Sequence, residues 1–128
     1  MKIFIYSKKY FLSSKNIYIQ TINYFHLDRL MASFDTPSGI PFSDVNLKTR
    51  TGHAPKWSPD SSTSEVTTVQ LEFRDLSRVT GNPKYEDAVT KVSHHVHSLP
   101  KTSGLVPIFI NANNGQFRSY STITLGRQ

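Results

Sequence analysis

The sequence predicts a mainly α-helical chain with one β-hairpin, and three observations predict it. Apolar residues recur at helical spacing from Val66 to Val79 and again from Tyr85 to Leu99. Serine, threonine, glycine and proline stand where such helices begin and stop. Beyond Gly104 the pattern changes to a short apolar run, an Asn-Gly turn signal and an alternating return. A length of 128 residues suits one small domain rather than two. Hydrophobic residues at 37% and charged residues at 19% are a globular balance, which excludes wholesale disorder.

Residues 1–26 form an unlike leading segment. They are rich in Lys, Ile, Tyr, Phe, Ser and Asn and contain no Gly, Pro, Asp or Glu. The apolar runs Ile3–Tyr6, Tyr10–Leu12 and Ile17–Ile19 are short, and Lys8 and Lys9 interrupt them. Neither a transmembrane span of roughly 20 apolar residues nor a clear signal peptide is predicted. Periodicity leaves strand and helix both open for Asn16–Gln20 and Tyr10–Leu12. A basic aromatic peptide of this kind suits an anionic membrane surface, and its A/T-rich-codon composition equally suits a gene-model artefact.

The elements follow in order from Leu27. Leu27-Asp28-Arg29-Leu30-Met31 reads as the end of a helix. Pro37, Gly39 and Pro41 then set an extended, turning loop. Residues 44–60 continue as irregular chain broken by Gly52, Pro55 and Pro59. A helix over 63–80 is marked by Ser62 and Glu65 at capping-box spacing and by Val66, Val69, Phe73, Leu76 and Val79. Gly81 and Pro83 stop it. A second helix over 84–98 carries Tyr85, Ala88, Val89, Val92, Val96 and Leu99 and ends before Pro100. The short connection makes the two helices antiparallel neighbours. Leu105–Ile110 and Phe117–Leu125 are the hairpin strands, joined through Asn113-Asn114-Gly115, with Pro107 demanding an edge position.

Charge and motif exclude several functions. The net charge is +6, but residues 1–33 hold +4 of it through Lys2, Lys8, Lys9, Lys15 and Arg29 against Asp28. The remainder is nearly balanced, so no nucleic-acid partner is expected. The absence of cysteine excludes disulfide scaffolds, thiol catalysis and cysteine-bound zinc. There is no P-loop, dinucleotide fingerprint, nucleophile elbow or N-glycosylation acceptor. His94, His95 and His97 have no carboxylate at ligand spacing, so they read as residues of a helix C-terminus rather than a metal site. Trp57, beside His53, Lys56 and Asp60, reads either as a buried anchor for the loop or as a platform for a sugar ring.

Carboxylates on the first helix are the other candidates. Glu65 and Glu72 are seven residues apart, which an unbroken helix places within about 20° of each other. Such a face binds a sugar or a cation, or is simply solvated. Arg74 and Arg78 are placed to pair with carboxylates of the second helix.

Four blocks carry a resemblance. They are Thr36-Pro37-Ser38-Gly39-Ile40-Pro41-Phe42-Ser43-Asp44-Val45-Asn46, Asp60 through Phe73, Gly104 through Asn111, and Thr124-Leu125-Gly126. In this order and spacing they resemble glycoside hydrolase family 47, the class I α-1,2-mannosidases, and most of all its endoplasmic reticulum branch. The resemblance covers about residues 27–126, a partial catalytic domain. No family pattern is assigned to residues 1–26.

The resemblance implies an (α/α)7 barrel, of which helices 63–80 and 84–98 are one pair and this chain an incomplete portion. It implies an inverting enzyme that removes terminal α-1,2-linked mannose from high-mannose N-glycans with a bound calcium. The two carboxyls of such an inverting pair stand roughly 6.5–9.5 Å apart to admit water. In the family the general acid Glu lies upstream, and residues 1–26 contain no acid. The next catalytic Asp follows the Leu-Gly that Leu125-Gly126 matches, and the last catalytic Glu and a calcium-holding Thr lie further on. No catalytic residue and no calcium ligand is therefore assigned in this chain, which is expected to be inactive alone. Glu65 matches the family carboxylate that lines the glycan cavity and is the assigned substrate-binding residue. The family setting is the lumen of the endoplasmic reticulum or Golgi, often with a membrane tether. Two other readings compete: a non-catalytic glycan-binding relative serving glycoprotein quality control, and a membrane-associated peptide fused to a helical pair.

Overall fold

The computed structural model describes Phe25 and residues 28–119. The expectations for the leading segment through residue 24, for His26 and Leu27, and for Tyr120–Gln128 lie outside the described residues. The rest is mainly helical with two small sheets. A helical turn at 28–30 tightens into a 3₁₀ helix, Met31–Phe34. Strands β1 (Asp44–Asn46) and β2 (Thr51–His53) pair with each other. β3 (Ser61–Ser62) leads into α1 (Thr63–Thr68), α2 (Gln70–Thr80) and α3 (Lys84–Ser98), and β4 (Phe109–Ile110) returns to β3.

The helix expected over 63–80 is divided at Val69, whose ψ of −12° departs from the helical value. The cause is local. The Thr67 hydroxyl donates to the Thr63 and Ser64 carbonyls, at 2.8 and 3.2 Å, and the Thr68 hydroxyl donates to the Glu65 carbonyl at 3.2 Å. Threonines that bond back to the preceding turn compete with the backbone ladder and bend helices. The capping box also fails to form. The Ser62 hydroxyl lies 2.9 Å from the Ser64 hydroxyl, and Ser62 is extended because it pairs with Phe109. The N–H of Thr63 is taken by the Ile108 carbonyl at 2.8 Å. The Ile108 carbonyl, just before β4, thus satisfies one of the N–H groups left free at the helix start.

The α2–α3 joint follows the expectation. Gly81 has a φ of 69°, and its N–H donates to the Ser77 carbonyl at 2.9 Å, which closes α2 in a left-handed conformation that glycine adopts without strain. Pro83 stands directly before α3. The buried Ser77 hydroxyl accepts from the Glu86 N–H at 2.8 Å, so α2 itself caps its neighbour. At the far end of α3, Lys101 Nζ donates to the carbonyls of His97 and Leu99 at 2.7 and 2.9 Å.

Two apolar clusters hold the layers together. Val69, Phe73 and Leu76 of the first helical stretch pack against Tyr85 and Val89 of α3. Further along α3, Val92, Val96 and Leu99 close over Val66, Ile40, Ile110, Ala112 and Phe117. Phe34 packs against both clusters and meets Phe73 edge-on at 5.3 Å between centroids. The Pro-Gly loop is therefore a structural wedge, since Ile40 and Pro41 are fully buried. It is pinned by Ser38 Oγ to the Ala112 carbonyl and by the Ser61 hydroxyl to the Pro41 carbonyl.

Two β expectations need correction. Residues 44–53, read as irregular, form a hairpin. The Asn46 side-chain oxygen accepts the N–H groups of Lys48 and Thr49, and Arg50 takes a φ of 56° to complete the turn. Gly52 lies where a Cβ would stand 3.0 Å from the Ala32 carbonyl and 3.1 Å from the Phe42 ring. The hairpin predicted from 105–125 is reduced, within the described residues, to the turn 111–116 and a single bridge between Ile110 and Phe117. Phe109 and Ile110 form their ladder with β3 instead. Leu105 and Val106 lie exposed outside any strand.

The start of the described chain is tied to α3 by charge. Asp28 accepts Lys84 Nζ at 2.5 Å and the Tyr85 hydroxyl at 3.1 Å. The Lys84 bond, ahead of the opposing effect of burial, holds the Asp28 carboxyl below its ordinary value of 3.8. Because the folded value is the lower one, this tie stabilises fully above pH 3.8 and is lost as pH falls through the folded value. Both partners are part-exposed, so the contribution is under about 1 kcal/mol. Urea unfolding of the parent and Asp28→Asn should differ by that amount near neutrality and converge in acid; a gap that persists in acid would refute the assignment.

Candidate functional site

Glu65 stands in the first turn of α1, half-buried, behind the two-strand sheet that sets the direction of the helix. Its carboxylate has no hydrogen bond or ion pair among the described residues. A part-desolvated carboxylate at a helix start is held by the positive end of the peptide dipoles and keeps its acceptor positions open. Chemically it can take two hydroxyl donors at once.

Glu72 is placed differently from the expectation. It lies on α2, beyond the interruption at Val69, so the register computed for an unbroken helix does not relate it to Glu65. Its Oε2 is shut off from solvent without a hydrogen-bond partner. Of the two arginines read as reaching toward α3, Arg74 does so, at 3.9 Å from Glu86. Arg78 turns back to Asp75 of its own helix at 2.6 Å, because i and i+3 are neighbours on a helix surface.

Trp57 is 69% exposed. The reading of a buried loop anchor is therefore corrected, and the ring is free for contact. It lies three residues before Asp60, whose role is structural. Asp60 is 2% exposed, and its carboxylate receives Asn111 Nδ2 at 2.8 Å and an Arg118 guanidinium N–H at 2.5 Å. Its own N–H donates to Ser58 Oγ at 3.2 Å. The partners lie 51 and 58 residues away, so no local spacing could reveal them. The signal available was that Asp60 and Asn111 open and close two of the blocks that carry the family resemblance.

The histidines separate. His94 and His97 are exposed, whereas His95 Nε2 lies 2.8 Å from the Gly115 carbonyl. Among the described residues no three His, Asp or Glu side chains gather in a way that would hold a metal ion.

The family model described as glycosyl hydrolase family 47 matches residues 9–128. The chain belongs to this family. It is 48% identical over 118 residues to the human endoplasmic reticulum mannosyl-oligosaccharide 1,2-alpha-mannosidase, covering 91% of this chain and 17% of that protein. The corresponding rat protein is 49% identical over 118 residues, with 91% of this chain and 18% of that protein covered. Among solved structures, alpha-1,2-mannosidase from Trichoderma reesei superposes with a TM-score of 0.61 at 28% identity, covering 79% of this chain and 20% of that one. The chain thus spans less than a fifth of the length of the two mammalian family members. Its Glu65, Trp57 and Asp60 all fall within the family match.

Asp60 is the structural residue of this set. Asp60→Ala leaves Asn111 and Arg118 without their acceptor. Loss of a hydrogen-bonded charge of this kind costs roughly 1.5–3 kcal/mol. Denaturant unfolding should show that loss, with Arg118→Ala smaller because its side chain is 56% exposed. Equal stability of Asp60→Ala and parent would contradict the clamp.

Proposed function

We propose that this chain is part of an inverting α-1,2-mannosidase that trims terminal mannose from N-glycans, with residues 27–128 supplying part of the catalytic domain. The observation that carries the proposal is Glu65, a half-buried carboxylate with no internal partner, in a chain 48% identical to a relative named for that activity. Glu65 accepts hydroxyls of the bound mannose. Trp57, exposed in the loop before β3, offers its face to a sugar ring. The sugar presents donors along its rim and weakly polar C–H groups on its face, which is the complement of one carboxylate and one indole.

The helical stretch 63–80 and α3 form one helix pair of an (α/α)7 barrel. The parent enzyme uses calcium and acts in the lumen of the endoplasmic reticulum or Golgi on glycoproteins carrying high-mannose N-glycans, held there by a membrane tether. Among the described residues no helix is long and apolar enough to cross a membrane. The compared relatives are named as mannosidases, so the non-catalytic alternative gains no support from them.

Two measurements test this. Glu65→Gln should weaken binding of an α-1,2-linked mannose disaccharide by about tenfold or more, the loss expected for a charge-assisted hydrogen bond. Unchanged binding by a folded variant would remove Glu65 from the site. The purified 128-residue chain alone should release no mannose from an α-1,2-linked oligosaccharide. Release abolished by a chelator would show that a full catalytic set is present after all.

A further inference from the structure

The turn at 111–116 is constrained from three sides. Asn111 Oδ1 accepts the N–H groups of Asn113 and Asn114 at 2.9 and 3.2 Å. Asn114 Oδ1 accepts the Gln116 N–H at 2.9 Å. The Gly115 N–H donates to the Asn111 carbonyl at 2.8 Å, while the Gly115 carbonyl meets His95 Nε2 at 2.8 Å. Gly115 has a φ of 70°, and a Cβ on it would lie 2.4 Å from His95 Nε2. Only glycine fits there. The turn therefore requires a short side-chain acceptor at 114 followed by glycine at 115, and that is the Asn-Gly dipeptide. No other asparagine of the chain precedes a glycine.

This arrangement has a chemical consequence. A glycine amide nitrogen is the least shielded nucleophile that can follow an asparagine, and asparagine is among the thermolabile residues. Asn114 is exposed, so water reaches its side chain, and its carbonyl is polarised by the Gln116 N–H. We propose that Asn114 is a site of spontaneous deamidation whose rate is set by the latch between Gly115, Asn111 and His95. In the reaction the Gly115 nitrogen attacks Asn114 Cγ. A nitrogen–carbon bond forms, the Cγ–Nδ2 bond breaks, and ammonia leaves with the proton given up by the Gly115 nitrogen. Water then opens either carbonyl–nitrogen bond of the resulting five-membered imide, giving aspartate or isoaspartate.

While the latch is closed, the Gly115 N–H is committed to Asn111 and the Gly115 carbonyl to His95, so cyclisation proceeds from an opened turn. The product reinforces the opening. An isoaspartyl link adds one atom to the main chain, and Gly115 can then no longer reach both partners. The modification thereby unfastens Gly115 from His95 of α3.

Incubation of the 128-residue chain at mildly alkaline pH, followed by peptide mass analysis, tests the proposal. The amide-to-acid mass increase should appear at Asn114 ahead of Asn111 and Asn113. It should be slower in native buffer than in urea. His95→Ala should accelerate the native rate roughly fivefold, the population change worth one net hydrogen bond. A native rate equal to that in urea would overturn the latch, whether or not the variant folds. Complete native protection while the urea sample is converted would overturn the modification. A folded His95→Ala with the parent rate would remove His95 from the control.

Discussion

The described architecture depends on one buried carboxylate. The β3–β4 ladder is only two residues long on each strand, too short to fix the returning chain against the helices by backbone pairing alone. Asp60 makes up the difference. It stands immediately before β3 and receives one donor from each side of the 111–116 turn, Asn111 and Arg118. The chain before the turn and the chain after it are thereby fastened to the same anion. With that segment in place, Ile110, Ala112 and Phe117 can complete the cluster around Val92 and Val96. The same return of the chain brings the Ile108 carbonyl to the Thr63 N–H at the start of α1.

The second constraint is the wedge of chain between Ser33 and Pro41. Proline and glycine in a loop ordinarily mark solvent-exposed connection. Here the Ser33 carbonyl accepts the Phe42 N–H, Ser38 reaches the Ala112 carbonyl, and Ile40 fills the space between α1, α3 and the returning chain. The same loop thus touches the element before β1, the helices and the segment that Asp60 holds. Phe34, shared by both apolar clusters, makes the two into one continuous interior. Glu65 owes its orientation to this assembly, since it sits one turn from the point where β3, β4 and the wedge converge.

How much of this was legible in the sequence depended on the range of the interactions. The α2–α3 joint was readable because its determinants are local: a left-handed glycine, a proline, and apolar side chains at helical intervals. The 111–116 turn was readable through Asn-Gly for the same reason. The 44–53 hairpin was not, because its turn uses Asn46 as a side-chain acceptor and puts an arginine, not glycine, at positive φ. The break at Val69 was hidden because hydroxyl back-bonding by Thr67 and Thr68 does not disturb apolar periodicity. Glu65 was singled out by the family pattern, and its lack of an internal partner could come only from the structure. Asp60 was visible as a residue but not as a clamp, since its donors are more than fifty positions away.

The helix surface beyond the two clusters shows what the described layer still demands. Leu71 is 65% exposed and Val79 44%, and both belong to α2. On the same helix Glu72 Oε2 is desolvated and unpaired. Each feature is unfavourable in isolation: an exposed leucine forgoes burial, and a shielded carboxylate oxygen without a donor carries a penalty of roughly 1–3 kcal/mol or more. A covering element that brings apolar side chains would bury Leu71 and Val79 together. A layer of helices backed by a second layer meets that requirement, and the mannosidases that this chain resembles extend about five times its length. Leu71 and Val79 therefore mark the apolar surface of α2 that a second layer would cover.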